Sequence, residues 1–189
     1  MFKKLTLLAM AVGALVAFAA PAAANAQLLT SEGVAVPVGT DITATSTNLQ
    51  TTTEQGILEC AKVTIHAKVT ANTAETSAAE STAVTTEGCV TNVGFTTFPT
   101  NIPTASADLH LEGGGVGTAL ATFVAEIETP EATLTCHFEG EPALGYESGT
   151  DVLGVRGGMA GSGAGCAEAG EIHGEFTLET EGGEPVTID

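Results

Sequence analysis

Four cysteines, Cys60, Cys89, Cys136 and Cys166, are the residues of this chain best suited to covalent chemistry. An even number of cysteines in an exported chain is typical of disulfide bonds. Zinc binding is the alternative, but zinc sites usually contain closely spaced ligand pairs, and this chain has no C-x-x-C motif. We therefore predict two disulfides.

The spacing of the cysteines favours one pairing. Four cysteines allow three connectivities. The interval from Cys60 to Cys89 nearly equals that from Cys136 to Cys166, and in each pair a leucine lies two residues before the first cysteine and a glycine directly before the second. This similarity favours Cys60–Cys89 and Cys136–Cys166. It also suggests an internal repeat, with halves around residues 57–98 and 131–180.

Histidines are the next candidates for chemistry. A zinc site needs three or four ligands that converge on one point. Because His137 and His173 flank the predicted Cys136–Cys166 bond, they are weak candidates for metal ligands. Scattered histidines on the polar faces of strands are usually surface residues, however. We therefore predict no metal site and no cofactor.

The glycine-rich run from Arg156 to Gly165 could be mistaken for a phosphate-binding loop. It lacks the Gly-Lys-Ser/Thr ending, and no predicted helix follows it. Ser162 has no G-x-S-x-G context. We expect a flexible hairpin loop at 157–165 and no catalytic residues. A hydrolase whose site assembles from distant positions remains an alternative.

Alternating apolar and polar residues predict the strands that must position these side chains. The clearest strand lies within 131–140, where one face carries Ala132, Leu134, Cys136 and Phe138. Residues 117–128 alternate as well, and Pro130 separates the two runs, so we predict a hairpin. In the run 57–70, Leu58 and Cys60 are out of phase with the later apolar residues. Either a bulge lies near Cys60 or the cysteine lies on the second face.

These patterns predict about ten short strands and no amphipathic helix. The fold class is all-β, an antiparallel β-sandwich or partly closed barrel with two disulfides. Pro99 and Pro103 favour an irregular connector over 97–107. Because the apolar residues are mostly small, the fold depends on its crosslinks. Each disulfide is expected to stabilise it by roughly 3 kcal/mol in the chain-entropy model.

The N-terminus has the pattern of a signal peptide, residues 1–26. Lys3 and Lys4 precede an apolar run, and Ala24 and Ala26 form a small-x-small cleavage site, so the mature chain is expected to begin at Gln27. Residues 27–189 then form a single all-β domain. No second apolar run follows, so no transmembrane segment is expected after signal removal.

The charge balance excludes some partners. Residues 27–189 hold 23 acidic side chains and only three basic ones, Lys62, Lys68 and Arg156. Phosphate groups are bound by Lys and Arg, so binding to nucleic acid or to an anionic membrane surface is not expected.

Several short motifs carry a resemblance. They are L-T-C-H-F-E-G, a later G-C, G-E-F-T-L-E-T and G-G-E-P-V, preceded by E-C-A-K-V-T and F-P-T-N-I-P. The chain resembles secreted actinobacterial β-rich proteins of unknown function that contain two cysteine pairs. The resemblance implies export and a β fold, and no activity for named residues.

The sequence therefore predicts a secreted, disulfide-stabilised protein that is not an enzyme. Its expected role is that of a structural or binding module, either released or associated with the cell envelope, with an unidentified partner there. A secreted hydrolase and an extracellular metal-binding protein are the alternatives. A large apolar groove would indicate ligand binding, and a flat polar surface a structural role.

Overall fold

The computed structural model describes residues 25–189. Of the predicted signal peptide, only Asn25 and Ala26 lie within the described residues. The strands in chain order are β1 (Leu28–Thr30), β2 (Asp41–Ser46), β3 (Gln50–Thr53), β4 (Ile57–Asn72), β5 (Thr76–Val93), β6 (Thr96–Glu112), β7 (Val116–Glu128), β8 (Thr133–Gly140), β9 (Ala143–Tyr146), β10 (Val152–Ser162), β11 (Ala169–Thr180) and β12 (Val186–Ile188). This part of the chain contains no helix that is long and apolar enough to cross a membrane.

Ten of the strands form one antiparallel sheet with ring-like hydrogen bonding. From β4 the pairing runs through β5, β6 and β7 to β8 and β9, then through β10 and β11 to β2 and β3, which both pair with β4. The all-β fold is confirmed. Residues 25–189 contain twelve strands, and β4, β5 and β6 are much longer than the short strands expected, at 16, 18 and 17 residues.

A two-stranded sheet of β1 and β12 closes one end of this ring. Leu28, Val186 and Ile188 are fully buried there and belong to the larger of two apolar cores inside the ring. Asn72, at the end of β4, holds this end sheet in place. Its side-chain amide donates to the carbonyl oxygens of Leu28 and Val36 and accepts from the Leu28 amide, each at 2.8 Å.

Both disulfides predicted from the cysteine count are present. Cys60 and Cys89 are direct partners on β4 and β5. Cys136 is buried on β8 and bonds to Cys166, in the loop after β10. The first disulfide therefore joins two paired strands, whereas the second joins a strand to a loop. The similar spacing of the two cysteine pairs does not correspond to two equivalent pairs of strands.

The inward-facing residues change phase near Cys60. Both Cys60 and Val63 line the ring interior, although they lie three positions apart and strict alternation would place them on opposite faces. The partner strand changes phase at the same place, opposite Ala61, where Gly88 has a φ of +59°. Only glycine adopts such a φ at little cost. Because both strands shift together, their pairing stays in register.

Two expectations about irregular segments were wrong. Residues 97–107 belong to strand β6, and most of the expected glycine-rich loop belongs to strand β10. Pro103 falls in a register irregularity between Asn101 and Thr104, where no ladder hydrogen bond needs its missing amide proton. The hairpin predicted from 117–128 and the Cys136 strand is confirmed as β7 and β8, with Ala125 opposite Cys136.

The stability of the protein at alkaline pH depends on the ionisation of Tyr146. Burial raises the pKa of Tyr146 above its ordinary value, and a backbone hydrogen bond with Gly115 opposes this. The Tyr146 hydroxyl hydrogen faces two carbonyl oxygens, those of Glu112 at 2.7 Å and Asn25 at 2.9 Å. Because the folded pKa exceeds that of the unfolded chain, this contribution to stability is complete below about pH 10 and is lost as pH rises through the folded pKa.

We therefore expect the free energy of unfolding to fall as pH rises above about 10. Urea unfolding followed by circular dichroism, between about pH 8 and pH 11, measures this. In the Tyr146→Phe variant the alkaline loss should be smaller. Equal losses in the two proteins would assign the effect to other groups.

Candidate functional site

An apolar cavity of about 140 Å³ lies inside the ring of strands. Its walls come from both apolar cores, which meet at this level. Side chains of nine strands, β2 to β7 and β9 to β11, contribute, including Ile42, Ile65, Val84, Ile102, Leu109, Ala119, Leu144, Leu153 and Phe176. A closed curved sheet creates such a space when its inward side chains are too small to fill it.

Small side chains leave this space open. The residues lining the cavity include seven alanines, namely Ala44, Ala67, Ala79, Ala105, Ala107, Ala119 and Ala121. Packing in protein interiors normally leaves few voids larger than a water molecule. The frequency of alanine at inward strand positions is the sequence signal that could have indicated a cavity.

The chemistry of the lining is almost entirely apolar. No charged side chain lines the cavity, and the polar lining residues are Thr51, Thr86, Ser106 and Thr122. The hydroxyls of Ser106 and Thr122 bond to each other at 2.8 Å, which reduces what they offer to a ligand. The cavity therefore suits an uncharged molecule that needs few hydrogen bonds.

Main-chain pairing is interrupted in one part of the wall, between β5 and β6. Ala79 pairs with Leu109 and Val90 pairs with Pro99, but residues 80–89 and 100–108 between them do not pair with each other. We call this interval the β5–β6 seam. Val84 lines the cavity from one side of the seam. Each strand remains paired on its other edge, β5 with β4 and β6 with β7.

Side chains join the two strands at both ends of the seam. At one end the Ser81 amide donates to an Asp108 carboxylate oxygen at 2.9 Å, and the Ala107 amide donates to the Ser81 hydroxyl. At the other end the buried hydroxyls of Thr91 and Thr100 bond to each other at 2.9 Å. The seam is thus a bounded interval, held by side chains where the ladder is missing.

The histidines considered as metal ligands are far from each other. His137 is opposite Ser162 on β10, whereas His173 is opposite Arg156 of the same strand. The interval between Ser162 and Arg156 is roughly 20 Å of strand, at about 3.3 Å per residue. Within residues 25–189 no three His, Cys, Asp or Glu side chains gather as metal ligands.

A second groove contains the residues relevant to the hydrolase alternative. It crosses β6, β7, β8 and β10 and is lined in part by His137, Glu139 and Ser162. His137 and Ser162 are neighbours across two strands. No hydrogen bond joins these three side chains in the described part of the chain.

The class defined by these features is an all-β, disulfide-bonded protein with a ring-like sheet around an apolar cavity. Comparisons with protein-family models, with curated proteins and with solved structures give no match to this chain. The resemblance to secreted actinobacterial proteins therefore stays a prediction.

Proposed function

We propose that this chain is an extracellular binding protein that holds a small, uncharged apolar molecule inside its ring of strands. The observation that carries the proposal is the cavity of about 140 Å³ with no charged residue in its lining. Cavities of about this size with aliphatic and aromatic walls stay free of water and accept a molecule as large as benzene.

Burial of the ligand supplies the affinity. Each buried carbon contributes about 0.8 kcal/mol, so a ligand of ring size gains roughly 4 to 5 kcal/mol, and its Kd is about 1 mM or below. Since the wall offers few free polar groups, a charged or strongly polar molecule would lose its hydration without compensation.

The β5–β6 seam is the access route in this proposal. Residues 80–89 and 100–108 do not pair with each other, so local separation of these segments widens access to the cavity and leaves the remaining ladder intact. Segments with few ladder bonds open at low free-energy cost.

The proposed location of the protein is outside the cell, where it is either released or attached to the envelope. Disulfide bonds form and persist in such an environment.

Benzene is the probe that tests the proposal. Titration should give saturable binding by calorimetry, and benzene at about ten times its Kd should raise the free energy of unfolding by about 1.4 kcal/mol. Ala119→Leu, which extends a side chain into the cavity, should abolish binding. Ala169→Leu is the matched control: Ala169 is exposed on β11, outside the seam and outside the cavity lining, so binding should be unchanged.

A second variant keeps the test decisive if Ala119→Leu does not fold. Ile65→Ala enlarges the cavity, so the protein should bind an alkylbenzene larger than benzene more tightly than the wild type does. Absence of saturable benzene binding to the wild type, or equal binding by Ala119→Leu and Ala169→Leu, would contradict the proposal.

A further inference from the structure

The residues just before the predicted mature N-terminus belong to the folded domain. Ala26 is fully buried in the larger core, and its amide donates to the Ala74 carbonyl oxygen at 3.1 Å. The carbonyl oxygen of Asn25 accepts a hydrogen bond from the buried Tyr146 hydroxyl at 2.9 Å. Hydrolysis after Ala26 would remove these contacts from the mature protein.

The sequence contains a second small-x-small site two residues earlier. Ala22 and Ala24 fill the two small positions, and the bond after Ala24 would be cleaved. We propose that a signal peptidase hydrolyses the Ala24–Asn25 bond, so that the mature chain begins at Asn25. Water supplies the hydroxyl to the Ala24 carbonyl carbon as the C–N bond breaks, which leaves a carboxylate on Ala24 and an ammonium on Asn25.

The position of the new ammonium supports this site. Asn25 is exposed, so a charge there stays hydrated. Gln27 is half-buried between the fully buried Ala26 and Leu28, and its amide already donates to the Asp189 carbonyl oxygen at 3.1 Å. Cleavage before Gln27 would place the free N-terminus in this main-chain pair and would remove the buried Ala26 from the core.

The test is the N-terminal sequence and intact mass of the protein exported with its own leader. A mature chain that begins at Asn25 supports the proposal, and one that begins at Gln27 overturns it. Ala22→Arg should move cleavage to the bond after Ala26 or leave precursor uncleaved, because it removes a small residue that only the proposed site needs. Ala23→Leu, at the unrestricted middle position, should be processed like the wild type.

A stability comparison tests the physical reason separately. Two proteins, one beginning at Asn25 and one at Gln27, should differ in melting temperature, with the longer protein melting higher. Tyr146→Phe should reduce this difference, since the variant lacks the hydrogen bond to Asn25. Identical melting temperatures would show that Asn25 and Ala26 add nothing to the fold and would remove the basis of the proposal.

Discussion

Replacing Asn72 by alanine is expected to lower the free energy of unfolding by about 3 kcal/mol or more. The Asn72 side chain bonds to the Leu28 amide, to the Leu28 and Val36 carbonyl oxygens, and to the hydroxyl of Ser77. Leu28, Val36 and Ser77 are almost fully buried, so water cannot readily replace the lost partner. Each buried polar group left unsatisfied costs about 1 to 3 kcal/mol.

Urea unfolding followed by far-ultraviolet circular dichroism measures this loss, since the chain has no Trp to serve as a fluorescence probe. Asn92→Ala is the matched control. Asn92 is only half-buried, and its side chain bonds to Glu59 and Thr97 near the surface, so its loss should cost about 1 kcal/mol. Similar losses in both variants would show that Asn72 does not anchor the β1–β12 sheet.

Removing the Cys136–Cys166 disulfide is expected to have an effect of similar size. The free energy of unfolding of the double variant, Cys136→Ala with Cys166→Ala, should be about 3 to 4 kcal/mol lower than that of the wild type. The reason is that the crosslink restricts the unfolded chain over a 30-residue separation. The buried Cys136 side chain also contributes apolar contacts that alanine does not replace.

The Cys60–Cys89 pair provides the comparison, since its separation of 29 residues gives nearly the same entropy term. Its double variant should therefore lose a similar amount. An unfolding midpoint unchanged from the wild type in either double variant would show that the corresponding crosslink does not stabilise the protein. A much larger loss for one pair would show that native contacts, and not chain entropy, dominate there.

Local patterns predicted the parts of the fold that depend on neighbouring residues. The strict alternation around Cys136 placed β8, and the run before Pro130 placed its partner β7. The alternation around Cys60 was ambiguous, because the phase change depends on Gly88, which lies on a different strand. The sequence of one strand does not reveal that the alternation of the neighbouring strand changes phase at the same place.

The predictions for the segments around Pro103 and Gly157 were wrong, because these residues serve tertiary contacts that the local sequence does not show. Pro103 lies where β6 needs no ladder bond, so the strand continues past it. Gly157 was interpreted as part of a flexible loop, yet an added Cβ would come within 2.6 Å of Pro142 Cα. That glycine permits close approach of two chain segments. The cavity was not predicted for a related reason: its lining combines nine strands that only the ring-like sheet brings together.

The β1–β12 sheet has a consequence for how the protein reaches its native state. Leu28 pairs with Ile188, so this contact spans nearly the whole domain in sequence. The ring cannot close at that end until the chain is complete as far as β12. Long-range contacts of this kind slow folding, so closure of this end is expected to be a late step. Until then the apolar interior stays accessible at one end, and the incompletely folded chain is the state most open to aggregation.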